Sequence, residues 1–143
     1  MGSWVCVDAN IVIGLVTARE AARSLSALWA GWIEDSRPVA APRLLLYEVT
    51  NALHRLRQAG ELTSGEAERA LSAVLALEMD YREGAVLHLR ALELAAEIHL
   101  PAAYDAHYLA LAEMLDADLF TADRRFANAV GARFPRVQLV TGA

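Results

Sequence analysis

Lysine does not occur in this chain; all 13 basic residues are arginine. Contact with phosphate therefore falls to planar guanidinium forks wherever these cluster, although biased codon usage in a GC-rich genome accounts for the composition equally well. Cysteine is nearly absent too. Cys6 alone cannot form an intramolecular disulfide or a cysteine-rich zinc site, and its place in an apolar run reads as a small buried hydrophobe compatible with a reducing compartment. No apolar stretch approaches the roughly 18 positions that a membrane span requires. No basic, then long apolar, segment precedes Trp4, so nothing resembles a secretory signal. The expectation is a cytoplasmic protein with no membrane partner. A basic surface is missing as well: net charge is −5 and the isoelectric point about 5.3, so any nucleic acid must be held locally.

What is present is a chain of 143 residues, 56% hydrophobic, long enough to bury a core without disulfides or structural metal. No repeat, low-complexity tract or linker divides it, and a single domain over 1–143 is expected. Trp4 to Val7 is short and apolar and runs into Asp8 and Asn10, which reads as a buried strand delivering Asp8 at its carboxyl end. Ile11 to about Asp35 is helical, broken near Thr17 to Glu20, with Leu25, Leu28, Trp29 and Trp32 spaced as a core face. Arg37 to Ala41 predicts a second strand. Pro42 then suits the first turn of a helix through Leu45, Val49, Leu53 and Leu56 to Gly60, with Glu48 in its first half. Thr63 followed by Glu66 is a capping box opening a helix to about Leu77. Met79 to Glu83 predicts an edge strand, Ala85 to Ile98 a helix stopped before Pro101, and Ala103 to Leu115 another. Asp118 to Thr121 predicts a strand with Asp123 at the head of the next helix, and Val137 to Val140 the last strand. Strands alternating with helices imply an α/β layer architecture on a mainly parallel sheet of about five strands.

In open parallel sheets ligands collect beyond the carboxyl ends of strands, and Asp8 and Asp123 both follow strand-like segments directly. Glu48 and Asp105 lie near the starts of helices that can face the same end. Four carboxylates at close range raise one another's pKa unless a cation sits among them. Hard oxygen ligands select Mg²⁺ or Mn²⁺ rather than zinc. Such an ion promotes hydrolysis of a phosphodiester.

Four segments carry a family resemblance: Val7-Asp8-Ala9-Asn10-Ile11-Val12, Tyr47-Glu48-Val49-Thr50-Asn51-Ala52-Leu53, Tyr104-Asp105-Ala106-His107-Tyr108-Leu109-Ala110, and Asp118-Leu119-Phe120-Thr121-Ala122-Asp123-Arg124-Arg125-Phe126. Their order and spacing, over nearly the whole chain, resemble the four acidic motifs of PIN-domain proteins, and within them the VapC-like toxins of toxin–antitoxin pairs. The resemblance implies a three-layer α/β/α PIN-like fold and an Mg²⁺- or Mn²⁺-dependent endoribonuclease in which Asp8, Glu48, Asp105 and Asp123 hold the metal. It further implies an RNA substrate, products with 5′-phosphate and 3′-hydroxyl ends, a cognate antitoxin that covers the site, and a homodimer. Ala9 departs from the Ser or Thr of many relatives, and Asn10 is the candidate to supply that polar contact. Thr121 is a second supporting candidate. Arg43, Arg124 and Arg125 are candidate phosphate contacts.

Each residue taken singly has a plainer reading. Asp8 and Asp123 are ordinary helix caps, Asp105 complements a helix dipole, Glu48 is a solvated helix residue, and each arginine is a solubilising charge. Asp116 and Asp118 read as surface or turn residues. His107 lies two residues from Asp105 and so on another helical face, while His54, His88 and His99 show no ligand spacing. Two competing functions remain. One is an Asp8-based phosphotransferase, which the missing lysine and the Asn at position 10 disfavour; the other is a PIN-fold binding module without catalysis. A DNase is a variant within the nuclease class.

Overall fold

The computed structural model describes residues 2–17 and 20–141. Five strands, β1 Val5–Val7, β2 Val39–Pro42, β3 Asp80–Arg82, β4 Asp118–Thr121 and β5 Val137–Leu139, alternate with seven helices: α1 Ala9–Val16, α2 Ala22–Glu34, α3 Leu44–Gln58, α4 Ser64–Ala76, α5 Ala85–Ile98, α6 Tyr104–Leu115 and α7 Arg124–Val130. The strands form one sheet in the order β3-β2-β1-β4-β5, and every neighbouring pair is parallel. Connections running towards β3 carry α1 to α4, and those running towards β5 carry α5 to α7. Right-handed crossovers put these two sets on opposite faces, which produces the three α/β/α layers. Packing agrees: α1 to α4 pack among themselves, and α6 crosses β1, β2 and β4 with α5 outside it.

Burial on both faces explains the composition of the central strands. Val5, Cys6 and Val7 are wholly buried, as are Ala40 and Ala41 of β2 and Leu119 of β4, the continuous apolar pattern of a parallel strand covered on both sides. Helix α6 is sandwiched between the sheet and α5, so Ala106, Leu109, Ala110, Leu111 and Ala112 are buried nearly all round it; the alanines allow close approach to both neighbours. Trp29 and Trp32 belong to the core, with Trp32 tilted against Phe120 at 4.8 Å between ring centroids. The capping box closes α4 as its sequence predicts, Thr63 Oγ1 accepting from Glu66 N and Glu66 Oε1 from Thr63 N.

One local expectation needs correction. Pro42 ends β2 instead of opening α3. Its missing N–H is tolerated there because β2 pairs with β1 only at Val39 and Ala40, so Pro42 stands beyond that ladder and faces only Arg82 of β3. The predicted break near Thr17 to Glu20 separates α1 from α2, with residues 18 and 19 outside the described set. Among the described residues no helix is long and apolar enough to cross a membrane.

Candidate active site

The chain leaves β1 towards one edge of the sheet and returns beside it as β4 after building the other half, so the topological switch point lies between these strands. A crevice opens there beyond their carboxyl ends. Asp8 is the first residue after β1, and its backbone N–H donates to Phe120 O at 2.9 Å, extending the pairing with β4. Its side chain is 7% exposed. Oδ1 caps α1 by accepting from Ala9 N at 2.8 Å, and Oδ2 accepts from Thr121 Oγ1 at 2.8 Å and Asn10 Nδ2 at 3.2 Å.

Thr121, wholly buried at the end of β4, ties two acids together. Its hydroxyl donates to Asp8 and accepts from the backbone N–H of Asp123 at 3.0 Å. Asn10 closes the same network, its Oδ1 accepting from Ala122 N at 2.9 Å. Asp123 uses one oxygen, Oδ1, to cap α7 through Phe126 N at 3.1 Å. The cap reading and the site reading of Asp8 and Asp123 are therefore compatible, because a capping carboxylate keeps further lone pairs.

Glu48 comes from the second turn of α3 and accepts at Oε1 from Tyr108 Oη at 2.5 Å. Asp105, half-buried in the first turn of α6, accepts no hydrogen bond among the described residues. The four acids nevertheless share one field. Burial pushes the Asp8 carboxyl up to about 6; Thr121 counters this, and the charges of Asp105 and Glu48 add to it. Glu48 is held above the usual carboxylate range by burial, with the Tyr108 hydrogen bond opposing and Asp105 reinforcing. Asp105 is raised by burial and then by Asp123.

A cation fits this arrangement in kind. The donors are all hard carboxylate oxygens, and burial reinforced by neighbouring negative charge at Asp8, Glu48 and Asp105 is a cost that a divalent ion would relieve. Among the described residues no three acidic, histidine or cysteine side chains close into a cage by themselves.

Two of the remaining sequence candidates adjoin this centre, and Arg43 lines a groove that holds none of the four acids. Arg124 and Arg125 are exposed and open α7 directly after Asp123. Arg43, just before α3, is exposed and 3.8 Å from Glu83, where solvent screens the pair. Asp118 stands at the opposite end of β4, held at 2.6 Å by Arg37 and 3.0 Å by Arg136, and serves the fold. A cleft of about 610 Å³ between α1 and α3, lined by Ile13, Gly14, Ala52 and Leu56, reaches the crevice at Asn10 and Ala122. A separate apolar groove of about 770 Å³ between α3 and α4 contains none of the four acids.

Two features escaped the sequence reading. Tyr108 sits at core spacing on α6, where an aromatic signals packing, so its hydroxyl contact with Glu48 was not foreseeable from pattern. His88 Nδ1 lies 2.9 Å from His107 Nε2 across α5 and α6; spacing along the chain carries no trace of that pair.

Comparison with known proteins agrees with the geometry. The PIN domain family profile matches residues 5–131. Ribonuclease VapC9 of Mycobacterium tuberculosis is 30% identical over 131 residues, spanning 92% of this chain and 94% of that protein. The crystal structure of PAE2754 from Pyrobaculum aerophilum superposes with a TM-score of 0.67 at 28% identity, covering 89% of this chain and 79% of that one. A toxin-antitoxin complex from Klebsiella pneumoniae shares the fold, with a TM-score of 0.66 at 21% identity over 94% of this chain and 95% of its own.

Proposed function

The chain belongs to the PIN-domain family, and from that premise we propose that it is a VapC-like toxin: an Mg²⁺- or Mn²⁺-dependent endoribonuclease that hydrolyses phosphodiester bonds of cellular RNA and is inhibited by a cognate antitoxin. The observation that carries this reading is the meeting of Asp8, Glu48, Asp105 and Asp123 in one electrostatic group at the switch point between β1 and β4. Similarity to a named ribonuclease over nearly the whole of both chains supports it.

In this reading the four carboxylates hold the metal. When bound, the ion stabilises charge building on the phosphodiester and makes an attacking water more acidic. The rest falls to the protein. Thr121 and Asn10 fix the Asp8 carboxylate against β4 before substrate arrives, so no reorganisation is needed at the moment of reaction. Among the described residues Asp105 carries no hydrogen bond to break on engaging a ligand. Arg124 and Arg125 stand beside Asp123 as contacts for RNA phosphates, a local attraction compatible with a chain of net charge −5. An Asp8 phosphotransferase fits poorly, because a buried carboxylate with both oxygens hydrogen-bonded is a weak and shielded nucleophile.

Two partners follow. The antitoxin assignment draws on the toxin-antitoxin complex that shares this fold. For the homodimer, α5 offers an exposed apolar row, Val86, Leu89 and Leu92, each more than 60% exposed, a surface suited to association. The cytoplasm, where cellular RNA is found, is the expected location.

The test is incubation of purified protein with total RNA in Mg²⁺ or Mn²⁺, with EDTA and Asp8→Asn controls, followed by sequencing of fragment ends. Discrete cuts bearing 5′-phosphates that need both the metal and Asp8 are expected. Intact RNA after confirmed metal binding and removal of antitoxin would favour a PIN-fold binding module instead.

A further inference from the structure

Tyr108 lies one turn beyond Asp105 on α6, and its side chain is fully buried. A ring packed on every side has no rotamer freedom, so its hydroxyl occupies a fixed point. That hydroxyl makes one hydrogen bond among the described residues, to Glu48 Oε1 at 2.5 Å, and Glu48 accepts no other. No buried side-chain polar atom among those residues lacks a partner; without Glu48 the Tyr108 hydroxyl would.

We propose that Tyr108 is the positioning residue of the metal site, clamping Oε1 of Glu48 and leaving Oε2 uncommitted for the ion. The inference rests on the metal-dependent reading above and extends it to a residue outside the four acids. Three considerations carry it. First, Glu48 is a long side chain from α3, and in a crevice shared with Asp105 repulsion drives it outward towards water. A charge-assisted bond from a phenol that remains protonated at neutral pH opposes that drift. Second, the bond joins two helices on opposite faces of the sheet, since Glu48 belongs to α3 and Tyr108 to α6. The distance between the Glu48 and Asp105 carboxylates is thus set by one contact beside the crevice. Third, the neighbouring acid is treated alike: Asp8 is clamped by the buried hydroxyl of Thr121. Each of these carboxylates has one buried hydroxyl holding it. Outer partners of this kind usually control metal affinity by about 10–100-fold.

The experiment is Mn²⁺ titration of metal-free protein, by calorimetry or by the free-ion electron paramagnetic resonance signal, on wild type, Tyr108→Phe, Glu48→Gln and the double variant. Tyr108→Phe keeps the ring that fills the core and removes only the oxygen. It is expected to weaken Mn²⁺ binding about 10-fold or more, and to add nothing once Glu48→Gln is present, because it acts through Glu48. Glu48→Asp, one methylene too short to reach the phenol, should lose a similar amount in wild type and become insensitive to Tyr108→Phe, which keeps the test open should one variant misfold. Undiminished Mn²⁺ affinity in Tyr108→Phe, or an equal loss in the Glu48→Gln background, overturns the inference and leaves the nuclease reading intact. Failure of the wild type itself to bind Mn²⁺ overturns both.

Discussion

A buried carboxylate with like charges around it costs stability, and Asp8 is the residue where that cost is largest. Its pKa is about 6 in the folded chain against an ordinary 3.8. A raised carboxylate pKa means that the folded state binds the proton more tightly than the unfolded one. The stability it lends is therefore complete below about pH 4 and is lost as pH rises through 6, where Asp8 ionises against Asp105 and Glu48. The shift corresponds to about 3 kcal/mol. Asp8→Asn should accordingly stabilise the metal-free protein at pH 7.5, by about 1–2 kcal/mol and not the full amount, since a carboxamide whose oxygen accepts from Thr121 and Asn10 turns its NH2 towards Ala9 N and loses that cap. Urea denaturation at pH 4.5 and 7.5 checks this, with the advantage of the variant confined to the higher pH; equal midpoints at both would show that burial of the charge is not costly. Thr121→Val tests the opposite side of the network. It leaves the Asp123 N–H without its acceptor and Asp8 without its principal donor, and a loss of about 2 kcal/mol is expected in the same assay.

At the scale of the element, α6 bears most on the site, because it carries Asp105 and Tyr108 while lying directly on β1, β2 and β4. Ala112 is fully buried one turn beyond Tyr108, on the side of α6 turned away from its contacts with α5. Ala112→Leu should push the helix off the sheet, costing about 1–3 kcal/mol in the denaturation midpoint and lowering Mn²⁺ affinity through displacement of Asp105. A variant that unfolds earlier but binds metal normally would show that α6 does not set the site. The helix also marks how far the sequence could be read. Its limits were legible from Pro101 and the apolar run behind it, and Asp118 to Thr121 reads as a strand from its composition alone. Asp8 and Asp123 were legible as candidates because each follows a strand directly, and Glu48 and Asp105 because each lies near the start of a helix that can face the same end of the sheet. Pro42 misled because a proline before a helical pattern fits both a strand end and a helix start, and only the register against β1 decides between them. Tyr108 and the His88–His107 pair stayed hidden because they are meetings across elements, set by packing angles that a one-dimensional pattern does not contain.

For the molecule as a whole, the proposed metal centre would link ion binding to folding, because the ion would offset the electrostatic cost of the buried acids at the switch point. A ligand that binds only the folded state stabilises it by about 2.7 kcal/mol at one hundred times its Kd. Mn²⁺ should therefore raise the unfolding temperature of the wild type in a concentration-dependent way and leave Asp8→Asn almost unmoved, as differential scanning fluorimetry would record. Association is a separate matter of surface. Leu89→Arg, in the exposed apolar row of α5, should convert a dimer to a monomer in light scattering without altering the Mn²⁺ affinity of each chain; an unchanged mass would move the dimer face elsewhere.

The claim on which all of this depends is that Asp8, Glu48, Asp105 and Asp123 form one metal centre. The most direct measurement is an anomalous-difference map from a crystal soaked in Mn²⁺. The account predicts a peak in the crevice beyond the carboxyl ends of β1 and β4, within direct or water-mediated reach of those four carboxylates and lost in Asp8→Asn. A crevice without a peak in a crystal that binds Mn²⁺ elsewhere, or a peak indifferent to Asp8, would contradict it.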